Sequence, residues 1–169
     1  DYDMVSQPDA AESWAVNADL TEYTFKLRHA KFHHGKDFNA DDVIHTFNRL
    51  LDPDLASPAR SGFDNITTLV KVDSHTVRFE LSGGSAFFPD NLDLYQAKII
   101  PADIDTSRLA NEIFGTGPYK LVEYAPGERA VFEKFADYWN EGLPYLDGFI
   151  FFFIPEAETR IQAVKTGAS

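Results

Sequence analysis

Ile66-Thr67-Thr68-Leu69-Val70-Lys71-Val72 and Thr76-Val77-Arg78-Phe79-Glu80-Leu81 flank a polar triplet, Asp73-Ser74-His75. Both runs are rich in β-branched residues. In the second, Val77, Phe79 and Leu81 point one way and Arg78 and Glu80 the other, a period of two that defines a strand with one buried face. The triplet supplies the turn, so residues 66–81 predict an antiparallel hairpin. A hairpin cannot bury a face alone, and its partners must come from neighbouring sequence.

On the N-terminal side, Tyr23-Thr24-Phe25-Lys26-Leu27-Arg28 repeats the same alternation, with Tyr23, Phe25 and Leu27 sharing a face. Trp14-Ala15-Val16-Asn17 predicts a shorter strand, and Ala18 to Glu22 the loop between the two. Residues 1–13 are polar and read as extended. His33-His34-Gly35-Lys36 forms a turn between Phe32 and Phe38. Asn39 then caps a helix whose first turn carries Asp41 and Asp42, where the helix dipole favours carboxylates. Val43, Phe47, Leu50 and Leu51 share its apolar face, and Asp52-Pro53 ends it, because a residue before proline resists the helical region. Ser57 to Arg60 could start a second short helix.

On the C-terminal side, Ser85 caps an expected helix carrying Phe87, Phe88, Leu92 and Tyr95, kinked or curtailed by Pro89. Lys98 to Pro101 reads as a strand, and residues 102–114 are ambiguous. Gly115-Thr116-Gly117-Pro118-Tyr119 follows, a glycine-rich turn at the mouth of the run Tyr119 to Tyr124. It can serve geometry alone, or it can present amides and a hydroxyl to something in a cleft. Ala130 to Phe135 pairs with the preceding run, Leu146 to Ile154 reads as a buried strand, and residues 156–166 predict a helix with Ile161 and Val164 on its apolar side. The fold class is mixed α/β: a twisted sheet of antiparallel hairpins with helices at 40–51 and 156–166.

Composition narrows the function. A formal charge of −12 over 169 residues opposes nucleic acid, where affinity rests on Lys and Arg meeting phosphates. Cysteine is absent, which removes disulfides and thiolate metal sites. No apolar run reaches the roughly 18 residues of a membrane span. Asp1 is not an initiator methionine and Thr166 to Ser169 has no evident stopping point, so the chain reads as a piece of something longer. Fifteen phenylalanines imply thick aromatic packing, with apolar surface to spare for a partner outside the chain.

Chemistry-bearing patterns are few. His29, His33, His34 and His45 cluster in sequence, but adjacent His33 and His34 cannot share a strand face and no helical i+4 partner exists, so no metal ligands are assigned. Asp41 and Asp42 diverge by roughly 100° on a helix and read as first-turn charges. No nucleophile elbow, phosphate loop or dinucleotide fingerprint occurs. No catalytic residue and no cofactor are expected. Phe87, Phe88, Tyr95, Tyr119, Tyr124, Tyr138 and Trp139 lie near turns. Core packing explains most of them, and any left over suit a cleft for an amphipathic organic ligand.

The order of motifs adds what single motifs lack. Glu12-Ser13-Trp14, Tyr23 to Arg28, Lys31-Phe32-His33-His34-Gly35-Lys36-Asp37-Phe38-Asn39-Ala40-Asp41-Asp42-Val43, Thr76 to Leu81, Gly115 to Tyr119, Asp137-Tyr138-Trp139 and Ile154 to Arg160 follow in sequence. Together they resemble the extracellular solute-binding proteins of family 5, the dipeptide, oligopeptide and nickel-binding group of ABC importers. The match runs from residue 12 onward and covers only the N-terminal portion of such proteins.

The resemblance implies part of lobe I of a bilobal, periplasmic-binding-protein-like type II fold, with about residues 30–100 in an accessory subdomain and about 112–169 returning to the main lobe. It implies a non-enzymatic receptor, periplasmic or extracellular, that closes around a peptide or similar small organic solute and delivers it to permease subunits. Membrane contact would come only through a lipid anchor, where one precedes residue 1. Gly115, Thr116, Gly117 and Tyr119 are the carried-over ligand contacts, the charged partners of peptide termini lying in the other lobe. Relatives carry Phe-His-Asp-Gly where this chain has Phe32-His33-His34-Gly35, and the stretch from Ala97 to Phe114 is brief for the family. Two other readings stay open: a sensing module of a regulator, and a metal or metal-chelate binder of the nickel type.

Overall fold

A computed structural model describes residues 7–167. The chain divides into two compact units, Asp1–Thr116 and Gly117–Ser169. The expected extended course of residues 1–6 lies outside the described residues.

In the first unit, strands β1 (Ala11–Val16), β2 (Glu22–Leu27), β3 (Ile66–Asp73) and β4 (Thr76–Leu81) form one antiparallel sheet in the order β1-β2-β4-β3. The hairpin at 66–81 forms as expected, and β4 becomes an inner strand between β3 and β2. Registers Tyr23↔Phe79 and Leu69↔Phe79 put apolar residues opposite one another. Tyr23, Phe25, Leu27, Val77, Phe79 and Leu81 are all buried, as alternation requires. Helix α1 (Ala40–Leu51) covers that face, with Phe47 edge-on to Phe79 at 5.0 Å and to Phe63 at 5.4 Å. Its Asn39 cap is complete. The Asn39 side chain accepts from the Asp41 N–H at 2.9 Å, and the Asp42 carboxylate accepts from the Asn39 N–H at 2.9 Å.

Three expectations in this unit fail, each for a physical reason. The helix begun by Ser85 shrinks to α2 (Phe88–Asn91), with no side-chain cap. Pro89 falls inside its first turn, where a missing N–H costs nothing, and only one turn follows. Lys98 to Pro101 is not a strand, because its backbone finds side-chain partners instead. The Ile100 N–H donates to Thr46 Oγ1 at 3.0 Å, and the Ala102 N–H to Asp42 Oδ1 at 2.8 Å, both on α1. The helix expected from Ser57 is a single 3-10 turn, Arg60–Gly62.

In the second unit, β5 (Tyr119–Ala125), β6 (Arg129–Lys134) and β7 (Gly148–Phe152) form an antiparallel sheet in chain order. Phe132 stands between Leu121 and Phe149 in register, stacked on Phe149 at 4.7 Å. Helix α3 (Ala157–Thr166) follows and ends at Gly167, whose φ of 67° is the left-handed cap that glycine adopts freely. The strand expected at 146–154 is present but not buried in this chain: every residue of β7 is exposed, and among the described residues it pairs only with β6. Ile161 and Val164, read as the apolar side of this helix, are 46% and 71% exposed, and α3 buries no residue.

Candidate functional site

Gly115 and Thr116 close the first unit, and Gly117 opens the second. Glycine is not there for backbone freedom. Neither Gly115 nor Gly117 lies in the left-handed region. Gly115 stands close against His33: a Cβ there would meet His33 Cε1 at 3.4 Å, at the near edge of ordinary contact. Its carbonyl accepts the His33 N–H at 2.8 Å. At Gly117 a Cβ would meet nothing within 4 Å, so sterics leave that glycine without a structural explanation.

The turn Phe32 to Lys36 therefore backs onto Gly115. It closes through the Phe32 N–H to the Lys36 carbonyl and the Gly35 N–H to the Phe32 carbonyl, each 2.8 Å, with Gly35 at φ 95°. His34, one residue on, stands edge-to-face with Phe114 at 5.3 Å and places Nε2 3.8 Å from an Asp103 oxygen. It packs against the approach to Gly115 as well as occupying the turn.

Ahead of it, the side chain of Asp105 accepts the Ser107 N–H at 2.9 Å, which holds that carboxyl below the usual range. Arg108 grips Glu112 through two hydrogen bonds, at 2.7 and 2.6 Å. The pair raises the guanidinium and lowers the carboxyl from their ordinary values. Arg108 also lies 5.1 Å from the Phe114 ring.

Thr116 is half-buried, and neither its N–H nor its hydroxyl meets a partner among the described residues. Half-buried donors of this kind are open to water or to a ligand. In the second unit, Tyr119 opens β5 opposite Lys134, its ring edge-on to Phe149 at 4.9 Å. That ring is used in sheet packing, and its hydroxyl has no partner among the described residues. Of the other aromatic candidates, Phe88 is core, whereas Phe87 and Tyr95 are 74% and 77% exposed. Among the described residues, no group of three or more His, Asp or Glu converges to hold a metal.

Asp42 is the residue that sequence reasoning undervalued. Asp41 behaves as read, exposed and paired with Lys71 at 2.7 Å. Asp42 is fully buried and accepts from Lys36 Nζ at 2.6 and 2.7 Å, besides the two amides already named. The spacing of Asn39 and Asp42, cap and third helical residue, is the signal that could have found it.

The comparisons with known proteins identify the family. The family model described as bacterial extracellular solute-binding proteins, family 5 Middle, matches residues 6–169, so the chain belongs to that family. Di/tripeptide-binding protein 1 of Pseudomonas aeruginosa is 36% identical over 186 residues, covering 95% of this chain and 35% of that protein. Among solved structures, the periplasmic binding protein AgaA from A. tumefaciens R10, in complex with agropinic acid, superposes with a TM-score of 0.90. It is 34% identical, over 96% of this chain and 34% of AgaA. The periplasmic binding protein DppA from Helicobacter pylori, in complex with the peptide STSA, gives 0.86 at 30% identity, over 96% of this chain and 36% of DppA. The chain thus spans about a third of the length of the relatives it matches. Its fold is part of a type II periplasmic-binding-protein architecture, mixed α/β with antiparallel sheets.

Proposed function

We propose that the protein containing this chain is the solute-binding subunit of an ABC importer, capturing a peptide or similar small organic solute outside the cytoplasmic membrane and handing it to permease subunits. Family membership over residues 6–169 and relatives that bind di- and tripeptides support this reading. On it, residues 112–169 belong to the main part of lobe I and about 30–100 to an accessory subdomain, and any membrane attachment is a lipid anchor ahead of residue 1. The protein performs no catalysis.

Within this chain, the ligand-facing groups on this reading are the backbone amides of Gly115 to Gly117 and the Thr116 hydroxyl, with Tyr119 as the further candidate. The observation that carries this is Thr116: a half-buried donor and hydroxyl with no partner among the described residues. A bound carboxylate or peptide carbonyl would satisfy both. Closure over the solute requires a second lobe, so residues 1–169 alone bind peptide weakly.

The test is native mass spectrometry of the purified full-length protein, followed by calorimetry with di-, tri- and tetrapeptides. A stoichiometric small solute is expected. Thr116→Val should weaken its binding by about tenfold, the worth of a hydrogen bond or two. A protein that carries no solute and binds no peptide overturns the function, while undiminished binding by the Thr116 variant overturns the site.

A further inference from the structure

Gly115 does not hold itself in place. Its carbonyl is tied to the His33 N–H at 2.8 Å, and the His33 ring lies 3.4 Å from where a Cβ at 115 would stand. His33 belongs to the turn 32–36, so the position of Gly115 depends on what fixes that turn. Lys36, which closes the turn, sends its ammonium inward to Asp42 at the start of α1, at 2.6 and 2.7 Å, with the Phe32 ring 5.5 Å from the charge. The Asp42 side chain has no exposure and that of Lys36 is 20% exposed. Asp42 accepts in addition from the Asn39 N–H at 2.9 Å and the Ala102 N–H at 2.8 Å.

One carboxylate thus grips both routes by which the chain reaches Gly115. One runs through Lys36 and the turn to His33, and the other through Ala102, from which residues 103–114 lead directly to it. A buried carboxylate tolerates few arrangements, because losing any donor leaves charge without solvent or partner. Helix capping alone would need only the Asn39 amide. The lysine and the Ala102 amide are beyond that requirement, and both lie on paths to the ligand-facing turn.

We infer that Asp42, through its buried pair with Lys36, is a positioning residue that sets where Gly115 stands. Resting on the reading above, it thereby sets how well the Gly115–Gly117 turn meets its solute. The pair contributes little as a source of stability, since buried pairs roughly offset their own desolvation. Its effect is to exclude alternative placements of the turn.

The experiment uses the full-length protein labelled with 15N-histidine and reads amide exchange at His33, the donor to Gly115, well below the lowest melting temperature. Asp42→Asn, which preserves shape and can still cap, and Lys36→Met, which preserves the stem over Phe32, should each speed His33 exchange by about tenfold or more. His45 and His75 on the same molecule should keep their protection. Lys36→Arg, which keeps the charge, should restore His33 most of the way. Asn39→Ala weakens the same helix end without removing the pair and should leave His33 unchanged.

Unaltered His33 exchange in both Asp42→Asn and Lys36→Met overturns the inference. So does equal acceleration at all histidines, which is general destabilisation. Binding of trialanine to the same variants is measured separately. If His33 loosens while the affinity of a binding wild type holds, the positioning stands and the assignment of Gly115–Gly117 as ligand wall fails.

Discussion

Phe79 in the alternating strand β4 and Phe151 in the apolar strand β7 are both strand phenylalanines, yet Phe79 is 2% exposed and Phe151 54%. The same contrast holds across the units. The described part of the first gathers Tyr23, Phe25, Phe32, Phe38, Phe47, Phe63, Phe79 and Phe88 into one buried cluster. In the second unit, Val122, Tyr124, Ile150, Phe151, Phe152 and Val164 stay more than half exposed or close to it. Alternation tells how a strand pairs; whether its apolar face is buried depends on a covering layer. Helix α1 provides that layer for the first sheet through Phe47, while α3 buries none of its own residues. The described part of the first unit therefore carries a buried aromatic core, whereas few described residues of the second, Ala130 and Phe135 among them, are buried.

The largest test of that contrast is Phe79→Ala against Phe151→Ala, compared by denaturant unfolding. Phe79 touches Phe25, Phe47 and Phe88, and its loss should cost about 3–5 kcal/mol. Phe151→Ala should cost under about 1 kcal/mol. Equal losses would break the comparison.

Glycines ask whether the open unit is nonetheless tightly paired. A Cβ at Gly148 would lie 2.5 Å from the Phe132 carbonyl oxygen, and one at Gly84 would overlap the Asp19 carbonyl. Both clashes are with backbone, so Gly148→Ala and Gly84→Ala should each lower stability by roughly 1–3 kcal/mol. A harmless Gly148→Ala would mean that β6 and β7 are loosely held. The helix starts differ in the same sense as the cores. Asn39→Ala removes the cap of α1 and should cost about 1 kcal/mol, whereas the Glu156 side chain makes no capping bond to α3. Glu156→Ala should change melting by a small fraction of that, and circular dichroism on heating separates the two.

The smallest effect is at the turn of the first hairpin. The Asp73 carboxylate is held below its ordinary value first by the His75 N–H, at 2.7 Å, then by Thr76. With the folded-state value lowered, the group's contribution is full above the ordinary aspartate range and is lost as pH falls through the lowered value. The His75 amide resonance should follow Asp73 through that acid window and stop doing so in Asp73→Asn. A flat His75 shift in the parent protein would remove the hydrogen bond from this account.

Much of the molecule is legible in the sequence. The hairpin at 66–81, the alternating face of Tyr23, Phe25 and Leu27, the cap and length of α1, and the ordered motifs that mark the family all rest on local periodicity, turn chemistry or residue order. The errors share a physical origin. Residues 98–101 have strand composition, but Thr46 and Asp42, from a helix far away in sequence, take the amide hydrogens of Ile100 and Ala102. Phe149 to Phe152 have the composition of a buried strand, yet they lie on an edge.

At the candidate site, the sequence alone picks out Gly115-Thr116-Gly117 as a turn and, through the family resemblance, as a ligand wall. It does not show that the His33 ring, from a distant segment, stands 3.4 Å from where a Cβ at position 115 would be. It also groups Asp42 with Asp41, since both are acids in a first turn. Tertiary structure alone separates them, leaving Asp41 in solvent and enclosing Asp42 with Lys36 and the Ala102 amide. Neighbours in sequence determine period, caps and turns, because those interactions act within a few residues. Burial and the placement of a charge are decided by whichever distant segment arrives beside it.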